Sequence, residues 1–313
     1  MQDLVVASQW NEAMNHRVES ALREQMPQAR VVPAHGWDGL QGTRVLLAMA
    51  SHGSEAAAAQ PAGWPFDLRF VQLMSSGIDP YPPWLTKGRN PQLTIATARG
   101  TSAAPMAEFA LAVIFAHAKR LPQIWIDHAE AWQPTLLDSV AGSTLGLVGL
   151  GALGEAVARK ALGVGMNVVA LRRSATASPV PQVRVVATLE ELMPLADHLV
   201  LLAPATPETR HMIHAGTLAL AKPQLHLINL ARGSLVDQDA LLAALDRGQI
   251  AAVTLDVTEP EPLPAGHPLY THPRVRLSPH TSVLSAAVFD AVAAKAAHNI
   301  FAWWQGEAVE DAL

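Results

Sequence analysis

At 313 residues, half of them apolar and only 16% charged, the chain has the length for about two domains of roughly 150 residues, each with its own core, and is too apolar for intrinsic disorder. A formal net charge of −5 without any run of Lys or Arg excludes an electrostatic footprint for nucleic acid or anionic lipid, which leaves small molecules and other subunits as the expected partners. The absence of cysteine excludes disulfides, thiolate metal sites and thiol nucleophiles together, and is compatible with a reducing cytosol.

From the N-terminus, Leu4 to Ala7 is a short apolar run with neither a basic leader nor a cleavage site, so it predicts a first strand in a cytoplasmic protein rather than a secretory signal. Further strands are predicted at 44–49, 68–74 and 93–97, separated by Ala-rich or polar segments such as 11–25 and 54–60. Ala103 to Ala118 is the most apolar helix-like stretch. Glu108 and His117 interrupt it and it falls short of the roughly 20 residues that span a bilayer, so it predicts a core or interface helix. Pro122 to Ala141, with Trp125, Trp132 and Pro134, reads as an excursion at a subunit contact.

In the second half, strands are predicted at 144–148, 167–171, 184–186, 198–202, 225–229, 250–256 and 274–277. Most are apolar along their length, as strands covered on both faces are. Thr188 to Glu191 fits a capping box, and 237–247 starts acidic and precedes Gly248, so both mark helices with regular ends. A last helix over 282–304 is far from the first half in sequence and is expected to return to cover the first sheet. The alternation of strand and helix in both halves predicts an α/β fold with parallel sheets.

The first chemical motif is the turn Gly149, Leu150, Gly151, Ala152, Leu153, Gly154. It follows the strand at 144–148 and opens a helix with the apolar stripe Leu153, Val157 and Ala161. Its three glycines serve the tight turn, the close approach of backbone and the close packing of helix on strand, while N–H groups at the helix start hold a pyrophosphate. The turn alone also suits a plain strand-to-helix connection; with a second strand ending at Leu171, the context is that of dinucleotide binding. Where a carboxylate would bond the ribose 2′-hydroxyl of NAD, the chain has Arg172, Arg173 and Ser174. That set suits a 2′-phosphate and favours NADP(H) over NAD(H), the alternative being ordinary surface arginines.

Three downstream segments each follow a predicted strand at its carboxyl end, the edge where ligands gather in open α/β sheets: 229–237 with Arg232, 255–263 with Glu261, and 277–280 with His280. An arginine clamps a carboxylate through two bonds, a histidine passes a proton to a carbonyl oxygen, and a glutamate beside it stabilises the imidazolium. Together they describe a keto-acid reductase. Singly, Arg232 also suits a turn cap, Glu261 a solvated loop acid and His280 a buried histidine bonded to backbone. His211 and His214 have the spacing of helix metal ligands but no third ligand accompanies them, so no metal is expected.

At these residues the chain resembles the D-isomer-specific 2-hydroxyacid dehydrogenase family, in character closest to NADPH-dependent glyoxylate and hydroxypyruvate reductases. The resemblance runs in one order through Ser75 to Asp79, Met106 to Phe109, the glycine turn, Pro204 to Arg210, Asn229 to Gly233, Asp256 to Pro262 and Ser278 to His280. It implies two Rossmann-like domains with parallel sheets: a cofactor domain at 100–286 inserted in a flavodoxin-like substrate domain of residues 1–99 and 287–313, the two closing on the substrate. By the resemblance, Arg232 binds the substrate carboxylate and carbonyl, His280 is the general acid/base, and Glu261 rather than Glu259 is its partner. Asp256 faces the nicotinamide side, Pro204, Thr209 and Ala231 line the cofactor, and Ser76 and Gly77 offer N–H groups to the substrate carboxylate. The resemblance also implies a homodimer, with Trp132 reaching a neighbouring pocket, and reduction of a small 2-keto acid to a D-2-hydroxy acid by NADPH.

The chain departs from the family at three places. Arg172 stands where many members have an acid. Arg99 stands in Thr97 to Gly100, where Asn-Thr-Pro-Gly is common, and suits either a second anionic group on a substrate or an exposed hinge. Thr281 and Ser282 follow His280 where Ile-Gly or Ile-Ala is frequent. Two other readings stay open. A dinucleotide sensor or corepressor-like relative would be indifferent to His280, and a formate or phosphite dehydrogenase is disfavoured by Glu261, since formate enzymes carry Gln there.

Overall fold

A computed structural model describes residues 4–37, 40–50, 59–88, 90–172 and 178–313. The first elements are β1 (Val5–Ser8), α1 (Glu12–Arg23), β2 (Arg30–Pro33), β3 (Val45–Ala48), β4 (Phe70–Leu73), α2 (Pro83–Thr86), β5 (Thr94–Ala96) and α3 (Ala103–Ala118). There follow β6 (Thr144–Val148), α4 (Ala152–Gly163), β7 (Asn167–Leu171), β8 (Arg184–Val186), α5 (Leu189–Leu192), β9 (His198–Leu201), α6 (Ala215–Leu218) and β10 (His226–Asn229). The chain ends with α7 (Gln238–Asp246), β11 (Ala252–Leu255), β12 (Val275–Leu277) and α8 (Ala286–Gln305). These fall into two units, Met1–Ser102 with Leu284–Leu313, and Ala103–Val283.

In the first unit the sheet order is β2-β1-β3-β4-β5, every pair parallel, which is the flavodoxin-like arrangement. β3 and β4 are buried throughout, as the centre of a sheet covered on both faces must be. α1 starts at Asn11, whose side chain accepts the Met14 N–H, and turns Met14, Val18 and Leu22 inward at helical spacing. α8 does return to this unit, packing on α1 and β4. There the fully buried Asn299 donates to Gln72 Oε1 at 3.0 Å. β2 was not foreseen: Val31 and Val32 are its only large apolar residues, it pairs on one side alone, and Pro33 ends it, so it has no apolar run to announce it. Of the segment at 54–60, residues 54–58 lie outside the described residues.

The second unit holds a seven-stranded parallel sheet in the order β12-β11-β10-β9-β6-β7-β8. Successive residues of one strand serve opposite faces: Leu199 packs with Leu227, Val253 and Leu241 of α7, while Val200 packs with Ile228, Leu147, Ile114 of α3 and Val157 of α4. β6 has β7 on one side and β9 on the other, so the strand order reverses there. A crevice at the carboxyl ends of β6 and β9 is where such a sheet takes a ligand. α7 has the expected N-cap, Asp237 accepting the Ala240 N–H at 3.0 Å. No helix among the described residues is long and apolar enough to cross a membrane.

Candidate active site

The glycine turn sits at that strand-order reversal. Gly149 has φ +109°, and a Cβ there would lie 3.1 Å from the Leu202 carbonyl at the end of β9. A Cβ on Gly154 would stand 2.4 Å from Gly149 O, so helix and turn meet this closely only because position 154 is glycine. Gly151 is the opposite case: a Cβ there meets nothing within 4 Å. Gly151 caps α4 without a side-chain hydrogen bond, so no cap occupies the N–H groups of the first turn, Ala152, Leu153 and Gly154 among them. Open space over Gly151 and an uncapped helix start are what a pyrophosphate requires, and the residues fit a dinucleotide.

The Gly149 N–H donates to Leu171 O at 3.0 Å, which ties the turn to the end of β7, where the half-buried Arg172 follows. Arg173 and Ser174 lie outside the described residues. After β9, Thr209 Oγ1 donates to Pro204 O at 2.7 Å and accepts the Thr206 N–H at 2.8 Å, so the hydroxyl closes the loop that follows the strand.

Beyond β10, the fully buried Asn229 shapes the next turn. Its Oδ1 accepts the Ala231 N–H at 3.0 Å and its Nδ2 donates to Arg232 O at 2.8 Å. The turn delivers Arg232, half-buried, from the carboxyl end of the strand. The next residue, Gly233, lies directly on the loop after β11, since a Cβ on it would be 2.0 Å from the Thr258 carbonyl carbon.

Asp256, 1% exposed, heads that loop and is the hub of the histidine segment. Its carboxylate accepts Ser278 Oγ–H at 2.5 Å, the Thr281 N–H at 2.9 Å and the Ser282 N–H at 3.0 Å, while its carbonyl accepts the His280 N–H at 2.9 Å. These bonds hold His280 at φ +50°, a left-handed conformation that histidine tolerates better than most residues and that collects at functional sites. His280 Nδ1 lies 2.7 Å from Glu261 Oε1. Facing a carboxylate, Nδ1 carries a proton and leaves Nε2 as the working nitrogen. Glu259 turns elsewhere, to Arg210 at 2.9 Å and His211 at 3.7 Å.

Arg232, Glu261 and His280 thus all follow carboxyl ends of neighbouring strands in one unit. Ser76 and Gly77 belong to the other unit, at the carboxyl end of β4, where Ser75 Oγ donates to Gly77 O at 2.7 Å and Ser76 Oγ to Ala98 O at 3.1 Å. Asn229 and Gln238 went unassigned from sequence, because a side chain that holds a turn through backbone bonds carries no spacing signature. Of the histidines spaced like metal ligands, His214 caps α6 and His211 faces Glu259.

A family model described as the D-isomer specific 2-hydroxyacid dehydrogenase, NAD binding domain, matches residues 111–282. The chain belongs to this family. Glyoxylate reductase of Thermococcus gammatolerans is 37% identical over 214 residues, 64% of this chain and 63% of that protein. Glyoxylate/hydroxypyruvate reductase A of Serratia proteamaculans is 36% identical over 208 residues, 64% of each chain. The matched region therefore spans just under two thirds of the length of these relatives. Among solved structures, a D-isomer specific 2-hydroxyacid dehydrogenase from Xanthobacter autotrophicus Py2, described in complex with NADPH and MES, superposes with a TM-score of 0.79. That match covers 100% of this chain and 98% of the other at 26% identity.

The dehydrogenase fold also has an open cavity of about 670 Å³ at the amino ends of β9, β10 and β11, the sheet edge opposite the glycine turn. His117, His198 and His226 line it with Arg120, Arg276 and Asp138. Burial pushes His198 down to about 4 and His226 well below the usual histidine range. Groups so reluctant to take a proton are poor acid catalysts, and the edge is the wrong one for a ligand shared with the glycine turn.

Proposed function

We propose that the protein reduces a small 2-keto acid to a D-2-hydroxy acid with a nicotinamide dinucleotide, NADP(H) in preference to NAD(H), and that glyoxylate and hydroxypyruvate are the first substrates to try. The observation that carries this reading is the His280–Glu261 pair at 2.7 Å, set on the strand edge that also presents Arg232. The glycine turn and the start of α4 would hold the nicotinamide dinucleotide, which would supply the hydride for the keto carbon. His280 holds a proton on Nε2 and gives it to the keto oxygen, while Glu261 stabilises the imidazolium before that transfer. Arg232 holds the substrate carboxylate through two N–H bonds and draws charge toward the carbonyl oxygen.

The preference for NADP(H) rests on Arg172, with Arg173 and Ser174 beside it in sequence, where an acid would repel a 2′-phosphate. Arg172→Asp should reduce the preference for NADPH over NADH by about 1.5 to 3 kcal/mol, and an unchanged ratio of kcat/KM values would remove the assignment. We place the protein in the cytoplasm as a homodimer joined through α3 and the excursion at 122–141.

The decisive experiment is a panel of 2-keto acids assayed with NADPH and NADH. His280→Ala should lower kcat by about 10² to 10⁴ for any keto acid that is turned over. Undiminished turnover in that variant would refute the mechanism and favour a dinucleotide-binding sensor.

A further inference from the structure

The loop that carries Glu261 is tied within itself by Thr258 Oγ1, which donates to Pro260 O at 2.9 Å. Pro260 and Pro262 remove two of its backbone donors, and both its glutamate side chains are about two-fifths exposed. The ion pair of Glu259 with Arg210 is a surface contact between half-exposed groups and is a weak anchor. A stronger one comes from Gln238, the first residue of α7. Its Oε1 accepts the Glu259 N–H at 3.2 Å and its Nε2 donates to the Glu259 carbonyl, so one amide satisfies both backbone groups of that residue.

The clamp is mounted on a rigid support. α7 is N-capped by Asp237 and buries Leu241, Ala244 and Leu245 in the core of its unit. On the other side the loop rests on Gly233, where a Cβ would be 2.6 Å from Glu259 N. Held between Gln238 and Gly233, the Glu259 backbone fixes where the chain stands two residues later, at the carboxylate that meets His280.

We propose that Gln238 is a positioning residue for proton transfer: its amide clamps the Glu259 backbone and thereby keeps Glu261 on His280 Nδ1. The Gln238 amide supplies the donor and the acceptor this requires on two separate atoms. The inference rests on the reductase reading above, so its test needs one arm that is independent of turnover. Gln238→Met keeps length, apolar stem and helix preference while removing both hydrogen bonds; Gln238→Glu keeps the acceptor and loses the donor.

In proton NMR of the wild-type protein, the His280 Nδ1–H bonded to a carboxylate should give a downfield resonance, identified by its loss in His280→Ala. In Gln238→Met that resonance should move upfield or broaden away. In the kinetic arm, kcat for the best keto acid should fall about tenfold in Gln238→Met with KM changed less than about threefold, and Gln238→Glu should lie between. NADPH affinity by fluorescence quenching should be unchanged. A wild-type resonance in Gln238→Met, or a loss of kcat that accompanies a fallen melting temperature with the resonance intact, overturns the proposal. If the wild-type protein turns over no keto acid, the reductase reading fails and the NMR arm alone decides on the clamp.

Discussion

Gly233 is the residue where the turn of Arg232 and the loop of Glu261 touch. Because the atoms a Cβ would strike are the Thr258 carbonyl and the Glu259 nitrogen, all backbone, no rotamer change can make room for it. Gly233→Ala must therefore move the loop of Glu261 or the turn of Arg232. We expect a loss of about 1 to 3 kcal/mol in unfolding free energy by urea denaturation and a fall of at least about tenfold in kcat/KM; a stable and fully active variant would mean that the two segments are not in register through this contact. Residues of this kind separate what was legible from what was not. Arg232 and His280 stand out in the sequence because each is a chemically capable side chain just after an apolar run, while Glu261 is separated from Glu259 by the family resemblance alone. Asn229, Gln238 and the hub role of Asp256 do not stand out, since Asn229 bonds the backbone of its own turn, Gln238 the backbone 21 residues away, and Asp256 a hydroxyl and two N–H groups of the histidine segment. The Asp256 carboxylate takes three donors from the histidine segment, a role that neither its spacing nor the resemblance announces.

Among the elements, the strands buried on both faces were readable and the exposed edge strand β2 was not, because apolar continuity reports burial rather than hydrogen bonding. Parallel pairing has a consequence of its own at the amino edge. β9 and β10 pair with His198 opposite His226, and α3 lays His117 against His226 with ring centroids 4.3 Å apart. His198 Nδ1 is 3.4 Å from His226 Nδ1, and His226 Nε2 is 2.9 Å from Thr254 Oγ1, an arrangement that suits neutral rings. The charges facing the cluster are Asp138, Asp197 held by Lys222 at 2.8 Å, Arg120 and Arg276. A histidine held near 4 when folded, against 6.5 when unfolded, leaves the unfolded state with more bound protons in that window, so stability is full above pH 6.5 and is lost as pH falls toward 4. His198 alone should remove about 2 kcal/mol between pH 7.5 and pH 5, with His226 and His117 adding in the same direction. Urea unfolding at the two pH values measures this, and a flat response would show that the cluster opens to water.

For the molecule as a whole, the return of α8 to the first sheet was foreseeable on the ground that an uncovered parallel sheet needs a helix on each face. The excursion poses the same question and has no answer among the described residues. Between Pro122 and Ser139 no residue is buried, yet the segment carries Trp125, Trp132 and Leu136 at 71%, 76% and 88% exposure, with Ile126 and Leu137 beside them. Leaving such side chains in water forgoes about 1.5 to 3 kcal/mol each relative to full burial, and exposed apolar surface on this scale marks a contact with another protein. A second copy of the chain meets the requirement most simply, because a two-fold interface covers both excursions at once. Light scattering behind size exclusion should then give twice the 33.3 kDa chain mass at micromolar concentration. Replacing Trp125, Trp132 and Leu136 together by Ser should shift the protein to the monomer while leaving its far-ultraviolet circular dichroism unchanged, since none of the three contributes to either core. A wild-type protein that elutes as a monomer would leave the excursion to a partner of another kind.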